Sequence, residues 1–285
     1  MYPEPPQEPT FYMTCERRTR IQEFIESEKT PVMQNVMLYN GANGLRDFKP
    51  YKTRYVLDSG GYSAMNEYGG DFPWSVAEYH DWLQNAYEKQ PFDWAAVMDL
   101  ACEPAFDHKM TVKERQDQTL ENTLRHLEHD PDYPLLPVLQ GRTIQDWVEF
   151  HDRLVDHGVD TSYVGVGTLC RQSSQKQIAV IEQALRTRTD VEAMHGFGVK
   201  ISSFNFGAVF ESADSQAWSF QTKYGNKYTQ TSIDPPKFES VPYEDSETAH
   251  QESFEAYVAR AKYLQEKAFQ TRSKSGELIG LHAFE

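Results

Sequence analysis

Apolar positions along this chain fall into short runs, separated by longer stretches in which apolar residues recur three and four positions apart. The runs are FYM at 11–13, NVMLY at 35–39, RYVLD at 54–58, WAAVMD at 94–99, PLLPVLQ at 134–140, SYVGVG at 162–167, AMHGFG at 193–198 and AVFESAD at 208–214. Their lengths predict strands, whereas 75–89, 112–128, 143–157 and 173–187 carry the spacing of amphipathic helices. Eight strands alternating with helices predict an α/β protein of the (β/α)₈ TIM-barrel class, although a doubly wound open sheet would give a similar string. A last helix over 250–271 gathers Phe254, Tyr257, Val258, Ala261, Leu264 and Ala268 on one face, predicting an extension packed on the barrel exterior. Neither an internal repeat nor a low-complexity block divides residues 1–285. The chain therefore reads as a single domain, with a core over 11–230, a Pro- and Glu-rich start and a polar stretch near 232–249.

Several predicted strands end on groups able to do chemistry. Asp58, Asp99, Gln140 and Asp214 each close an apolar run, and Gly165 and Gly167 mark another strand end where backbone can approach a ligand. In a barrel these C-terminal ends converge on one mouth, where the chemistry of this fold resides. Any one such Asp or Gly is equally well a turn or helix-capping residue. Four polar side chains at four strand ends make the stronger pattern.

Composition narrows the reading. The 28 basic and 43 acidic residues give a net charge of −15, which opposes a polyanionic partner at long range. Either the partner is not a polyanion, or the acidic shell is an adaptation to high salt, where screening leaves only local contacts; the second reading is preferred. Cys15, Cys102 and Cys170 are odd in number and far apart, which argues against a disulfide framework and a zinc cluster. Cys102 and Cys170 read as packing residues. His126 with His129, and His151 with His157, lack a third ligand, so no metal is expected. No P-loop or dinucleotide fingerprint is present, and no cofactor is expected. Without a secretory signal or a bilayer-length apolar stretch, the expectation is a soluble, cytoplasmic protein, in the host cytoplasm if its source is viral.

The motifs in order resemble one family. DSGGYS at 58–63 is similar to the DSGG-aromatic motif of tRNA-guanine transglycosylases, VMD at 97–99 to their base-recognition aspartate, and VLQG at 138–141 to their glutamine-glycine motif. VGVGTLCR at 164–171 resembles their glycine-rich recognition loop, HGFG at 195–198 the glycine motif before the nucleophile, and ESADS at 211–215 the segment carrying the nucleophilic aspartate. The resemblance spans residues 35–220 and implies the TIM barrel. Two departures bear on the substrate. No cysteine follows Cys170, so the family's CxCxxC zinc site is missing, and SQAWSFQTKYGNKY replaces its arginine-rich loop. The short, zinc-less form is more similar to the virus- and phage-type DNA transglycosylases (DpdA-like), which place 7-deazaguanine bases into DNA.

The resemblance implies roles. Base exchange with retained configuration needs a carboxylate that attacks C1′ and holds a covalent intermediate, here Asp214, and a second that moves protons, here Asp58. Ser59, Gly60 and Gly61 would fold the loop around the base, and Asp99 would accept from its N1–H and exocyclic amine. Gln140 and the backbone near Gly167 and Thr168 would read the O6 side, Tyr62 and His195 would stack on the two faces, and Gly165 and Gly196 are further candidate substrate-binding positions. Arg142, Arg171, Lys200, Lys223 and Lys227 are candidate phosphate contacts, and Trp218 would prop the stack vacated by a flipped guanine. The expected partners are DNA, locally single-stranded or with a flipped guanine, and a free 7-deazaguanine base, with no membrane; a homodimer is left open. Three alternatives stand beside this reading: a tRNA-acting transglycosylase, a retaining N-glycoside hydrolase, and a non-catalytic nucleic-acid-binding barrel.

The charge reading predicts a salt response. If the acidic shell is a salt adaptation, the thermal midpoint holds or rises between about 0.1 M and about 1 M KCl, as the screening length falls from about 10 Å to about 3 Å. Unfolding by molar KCl would remove that reading.

Overall fold

The structure is a computed structural model that describes residues 1–14, 30–42, 44–172, 174–220, 224–244 and 246–274. Among them, parallel strands run in chain order around one ring: β1 (Thr10–Thr14), β2 (Val32–Asn35), β3 (Tyr55–Asp58), β4 (Ala95–Ala96), β5 (Leu135–Leu136 with Val138–Leu139), β6 (Tyr163–Val166), β7 (Ala193–Gly196) and β8 (Ser212–Ser215). β1 pairs with both β2 and β8. The remaining seam runs through β5, which Pro137 splits. Leu135 and Leu136 pair with β4, while Val138 and Leu139 pair with β6. Proline has no N–H to give a ladder, yet its carbonyl still accepts from Gly165 N at 2.8 Å, so the ring stays bonded across it. The result is the expected (β/α)₈ barrel, and the open-sheet alternative falls.

The helices Val76–Lys89, Val112–Leu127, Ile144–Asp156 and Gln175–Arg188 lie within a residue or two of the predicted spans. The first three begin at capping boxes, Ser75 with Glu78, Thr111 with Glu114 and Thr143 with Asp146, which satisfy otherwise orphaned N–H groups. Two strand expectations need correction. NVMLY was expected as a strand, but β2 ends at Asn35, whose side chain accepts from Met37 N at 2.8 Å and turns Val36–Tyr39 into a 3₁₀ helix. The eighth strand begins only at Ser212, after a buried but irregular approach through Ala208–Phe210.

Several elements were not anticipated. A short helix, Gly61–Tyr68, follows the glycine pair, entered through Gly60 at φ 85°. An antiparallel hairpin, β9 (Asn226–Ile233) with β10 (Pro236–Pro242), runs into the stretch noted only as polar. Its only large inward rings, Tyr228 and Phe238, pack on each other and on Tyr257 of the C-terminal helix Ser246–Lys274. That helix buries Phe254, Tyr257, Ala261, Leu264 and Ala268 as expected, with Val258 partly buried.

One outer helix supports the mouth directly. β4 is only two residues long, so the buried chain that follows it carries backbone groups without a sheet partner, and Val112–Leu127 supplies them. Asn122 Nδ2 donates to Met98 O at 2.8 Å, Thr119 Oγ1 accepts from Leu100 N at 3.0 Å, and Arg115, 0% exposed, donates to the carbonyls of Ala101 and Glu103 at 3.2 and 2.9 Å. Arg115→Met keeps the stem and removes the fork, stranding those carbonyls. We expect a loss of about 2 to 4 kcal/mol, read as a lower urea midpoint at unchanged slope. A change below about 0.5 kcal/mol would show that water replaces the fork.

Candidate active site

Side chains at the ends of β3 to β6 form one continuous chain of hydrogen bonds. Ser59 Oγ donates to Asp99 Oδ1 at 2.7 Å, and Gln140 Nε2 donates to Asp99 Oδ2. Thr168 Oγ1 donates to Gln140 Oε1 at 2.7 Å while accepting from Cys102 N at 2.9 Å. Gln116 fixes the Gln140 carbonyl from below at 2.7 Å. Two glycines make this layer sterically possible. A Cβ on Gly61 would stand 2.1 Å from Asp99 O, and one on Gly167 would stand 2.2 Å from Gln140 Nε2. Thr168 itself sits at φ 62°, a left-handed conformation that a β-branched residue adopts only under constraint. Gln140 is thus engaged at both ends of its amide, orienting Asp99 as much as facing a ligand.

The opposite half of the mouth holds Asp214, 2% exposed. Its Oδ2 accepts from Thr14 Oγ1 and its Oδ1 from Gly198 N, both at 2.7 Å. Beneath it His195 is fully buried, with Nδ1 2.6 Å from Ser212 Oγ, which in turn lies 2.7 Å from Tyr163 Oη. His195 Nε2 is 3.4 Å from Asp214 Oδ1 without the alignment of a hydrogen bond. Burial lowers the proton affinity of this imidazole, against the pull of Asp214. The ring lies edge-on to Tyr12, Trp94 and Phe197, at 6.1, 4.7 and 4.6 Å. With no exposed face His195 does not stack on a base, and the structure instead places it as support under Asp214.

Asp58 lies between the halves. Its Oδ1 accepts from Gly60 N at 3.2 Å, and its carboxyl is pushed up to about 7, first by burial and then by the charges of Asp99 and Asp214. Burial likewise raises Asp99, with the Ser59 and Gln140 hydrogen bonds opposing it. A carboxyl held near neutrality both gives and takes a proton readily, the property a general acid/base needs.

Other predicted residues divide. Tyr62 stands at the mouth, 39% exposed, beside Arg171. Trp218 is 2% exposed, donates to Thr14 O at 3.0 Å and packs on Phe254, so it is a packing residue and not a prop for a vacated stack. Arg142 forks onto Asp107 at 2.7 Å and Lys227 pairs with Glu252 at 2.7 Å, engaging both charges. Lys200 donates to Gln172 O at 3.2 Å. Gly165 and Gly196 lie under Phe197 and Val199, where they admit side-chain packing inside the barrel. Lys223 and Cys15 lie outside the described residues. Cys102 is buried, as a packing residue should be, and burial pushes its thiol up to about 12. Cys170 is exposed and so is not the packing residue expected. Desolvation of its Sγ, with the Glu103 carboxylate to which it donates at 3.3 Å, pushes it up to about 12 as well, which suits neither thiol to nucleophilic attack. Among the described residues no cluster of metal ligands occurs, and no helix is long and apolar enough to cross a membrane.

Sequence reasoning missed Thr14, Gly198, Ser212 and Tyr163. Thr14 was within reach, because it closes the first apolar run as Asp58 closes the third. The others work through a backbone N–H or from inside the barrel, where no residue-type signal marks them.

With this geometry in place, comparison with family models decides the relationship: the model for DpdA, DeoxyPurine in DNA protein A, matches residues 42–231. The chain belongs to the DpdA family. At the level of the family it is a DNA-modifying, deazapurine-related transglycosylase. Among curated proteins none matches the chain. The DpdA match spans β3 to β8 and so contains Asp58, Asp99, Gln140 and Asp214.

The raised Asp58 carboxyl has a stability signature. Between its ordinary 3.8 and about 7 the folded protein keeps a proton that the unfolded chain releases, so stability falls as pH rises through that window and then levels off. Asp58→Asn removes this decline. Relative to wild type, the variant should gain stability progressively above pH 3.8, with the full gain at and beyond about pH 7. Urea unfolding of both proteins at acidic, intermediate and neutral pH measures the difference; one that is flat with pH would contradict the assignment.

Proposed function

We propose that this protein exchanges guanine in DNA for a free 7-deazaguanine base through a covalent glycosyl intermediate on Asp214. The observation that carries the reading is the trio of carboxyls at three strand ends, with Asp58 near neutrality and Asp214 oriented by two donors. In the first step Asp214 attacks C1′ as the bond to guanine breaks, and Asp58 delivers a proton to the departing ring. The incoming base then attacks C1′ from the same side, Asp58 takes its proton, and Asp214 leaves. Two inversions retain the configuration, in the manner of two-carboxylate glycosidases. Asp99, with one oxygen held by Ser59 and the other by Gln140, keeps lone pairs for the N1–H and amine edge shared by guanine and its 7-deaza analogues.

A guanine paired in a duplex does not reach such a site, so the substrate is single-stranded or flipped. The net charge of −15 confines attraction for the strand to contacts near the mouth and favours work at elevated salt.

Labelled guanine incubated with protein and either a guanine-containing DNA strand or unmodified tRNA tests the reading. Label should enter DNA in clear excess over tRNA; equal entry would make the protein a tRNA enzyme, and abasic sites without label would make it a hydrolase. Asp214→Asn should keep the fold and lose both exchange and the protein–DNA adduct seen in denaturing gels. Asp58→Asn should slow exchange by about 10² to 10⁴ while still forming some adduct. Full exchange by the Asp214 variant would refute the mechanism.

A further inference from the structure

Asp99 and Asp214 are 6% and 2% exposed, so a purine-sized ring does not reach them until something at the mouth moves. A side-chain contact joins the segments that follow β3 and β6. Tyr62 is the second residue of the helix whose first, Gly61, lies against the Asp99 backbone. Arg171 stands three residues beyond Thr168, whose hydroxyl holds Gln140. Both follow residues that touch the hydrogen-bonded base layer, and their side chains meet. Arg171 Nη2 donates to Tyr62 Oη at 3.1 Å, and the guanidinium carbon lies 5.4 Å from the centre of the tyrosine ring. Phe106 meets the same ring edge-on at 5.3 Å, steadying it from the side.

We infer that Tyr62 and Arg171 form a latch over the base site, which a DNA strand opens by an exchange of partners: the nucleobase takes the ring face that the guanidinium leaves, and the guanidinium takes a phosphate oxygen of the same strand. The identity of the opening ligand rests on the base-exchange reading above. Stacking of a base on an aromatic ring is stronger than an exposed cation–π contact, and a guanidinium fork matches a phosphate better than a phenol oxygen. Both halves of the exchange are therefore favourable for a nucleotide. A free base offers only the first half and gives Arg171 no phosphate in exchange for Tyr62. The latch makes binding ordered, with the polymer first and the free base following once the mouth is open.

Wild type, Arg171→Gln and Tyr62→Phe are compared with two probes, guanine alone and a guanine-containing single-stranded oligodeoxynucleotide. Tyr62→Phe keeps the ring and loses the hydrogen bond to Arg171. Both variants should bind free guanine about two- to five-fold more tightly than wild type, because the latch no longer opposes entry. Arg171→Gln alone should bind the oligonucleotide more weakly, with the slope of log affinity against log salt reduced by about 0.7, the share of one phosphate contact on a single strand. Oligonucleotide binding by wild type, with guanine affinity and salt slope unchanged in Arg171→Gln, would overturn the latch and leave the base-exchange reading standing. Tighter guanine binding by the variants without any binding of the oligonucleotide to wild type would keep the latch but sink DNA as its opening ligand. Failure of all three proteins to bind either probe would overturn both.

Discussion

The structure depends on the chain of hydrogen bonds from Ser59 through Asp99 and Gln140 to Thr168 and the Cys102 backbone. It ties the ends of four consecutive strands together where the barrel is least regular, since β4 has two residues and β5 is split by Pro137. A buried polar network of this kind is stabilising only when every member is satisfied. That condition explains features remote from the mouth: Asn122, Thr119 and Arg115 all reach from one helix to the chain that follows β4, on either side of Asp99, and Gln116 reaches the Gln140 carbonyl. It also explains Gly61 and Gly167, where any side chain would occupy the space of Asp99 or Gln140.

Electrostatics sets the second constraint. Asp58, Asp99 and Asp214 share a poorly hydrated mouth, and their oxygens are held by hydroxyl, amide and backbone donors instead of cations. Several arginines are committed elsewhere: Arg186 to Glu182 and Glu211, Arg272 to Glu182, Arg142 and Arg115 to Asp107. A cation beside Asp58 would hold its carboxyl ionised, whereas crowding by like charge and burial carries it toward neutrality. The folded protein bears this repulsion as a loss of stability, and the capped helices and the aromatic core around Trp94, Tyr12 and Tyr55 offset it.

Much of the fold was legible because barrel strands buried on both faces read as short apolar runs, and Asp58, Asp99, Gln140 and Asp214 announced themselves by ending those runs. The second strand was misplaced because Val36, Met37 and Leu38 extend its apolar character past the point where Asn35 turns the chain. The hairpin at Asn226–Pro242 stayed hidden because it is half-solvated and rich in Thr and Ser, with only Tyr228 and Phe238 as large apolar anchors. His195 and Trp218 were assigned to the ligand because an aromatic ring near a motif suggests stacking. Burial decides otherwise, and burial is a property of the third dimension that residue type leaves open.

The two halves of the mouth carry different mechanical demands, and their construction matches. In the proposed exchange the base half, β3 to β6, releases one purine and accepts a related one, and its candidate recognition atoms sit on a mutually bonded layer that would present the same edge to both. In the same proposal the sugar half holds one carboxylate against C1′ through both steps, and Asp214 is held there by Thr14 of a flanking strand and by Gly198 just beyond the other, over a buried layer of His195, Ser212 and Tyr163. No hydrogen bond from Asp214 reaches the Asp99 layer directly, and Asp58, at the junction, is felt electrostatically by both. In the proposed exchange a proton passes between the halves, and the residue proposed to carry it is the one whose carboxyl is balanced near neutrality.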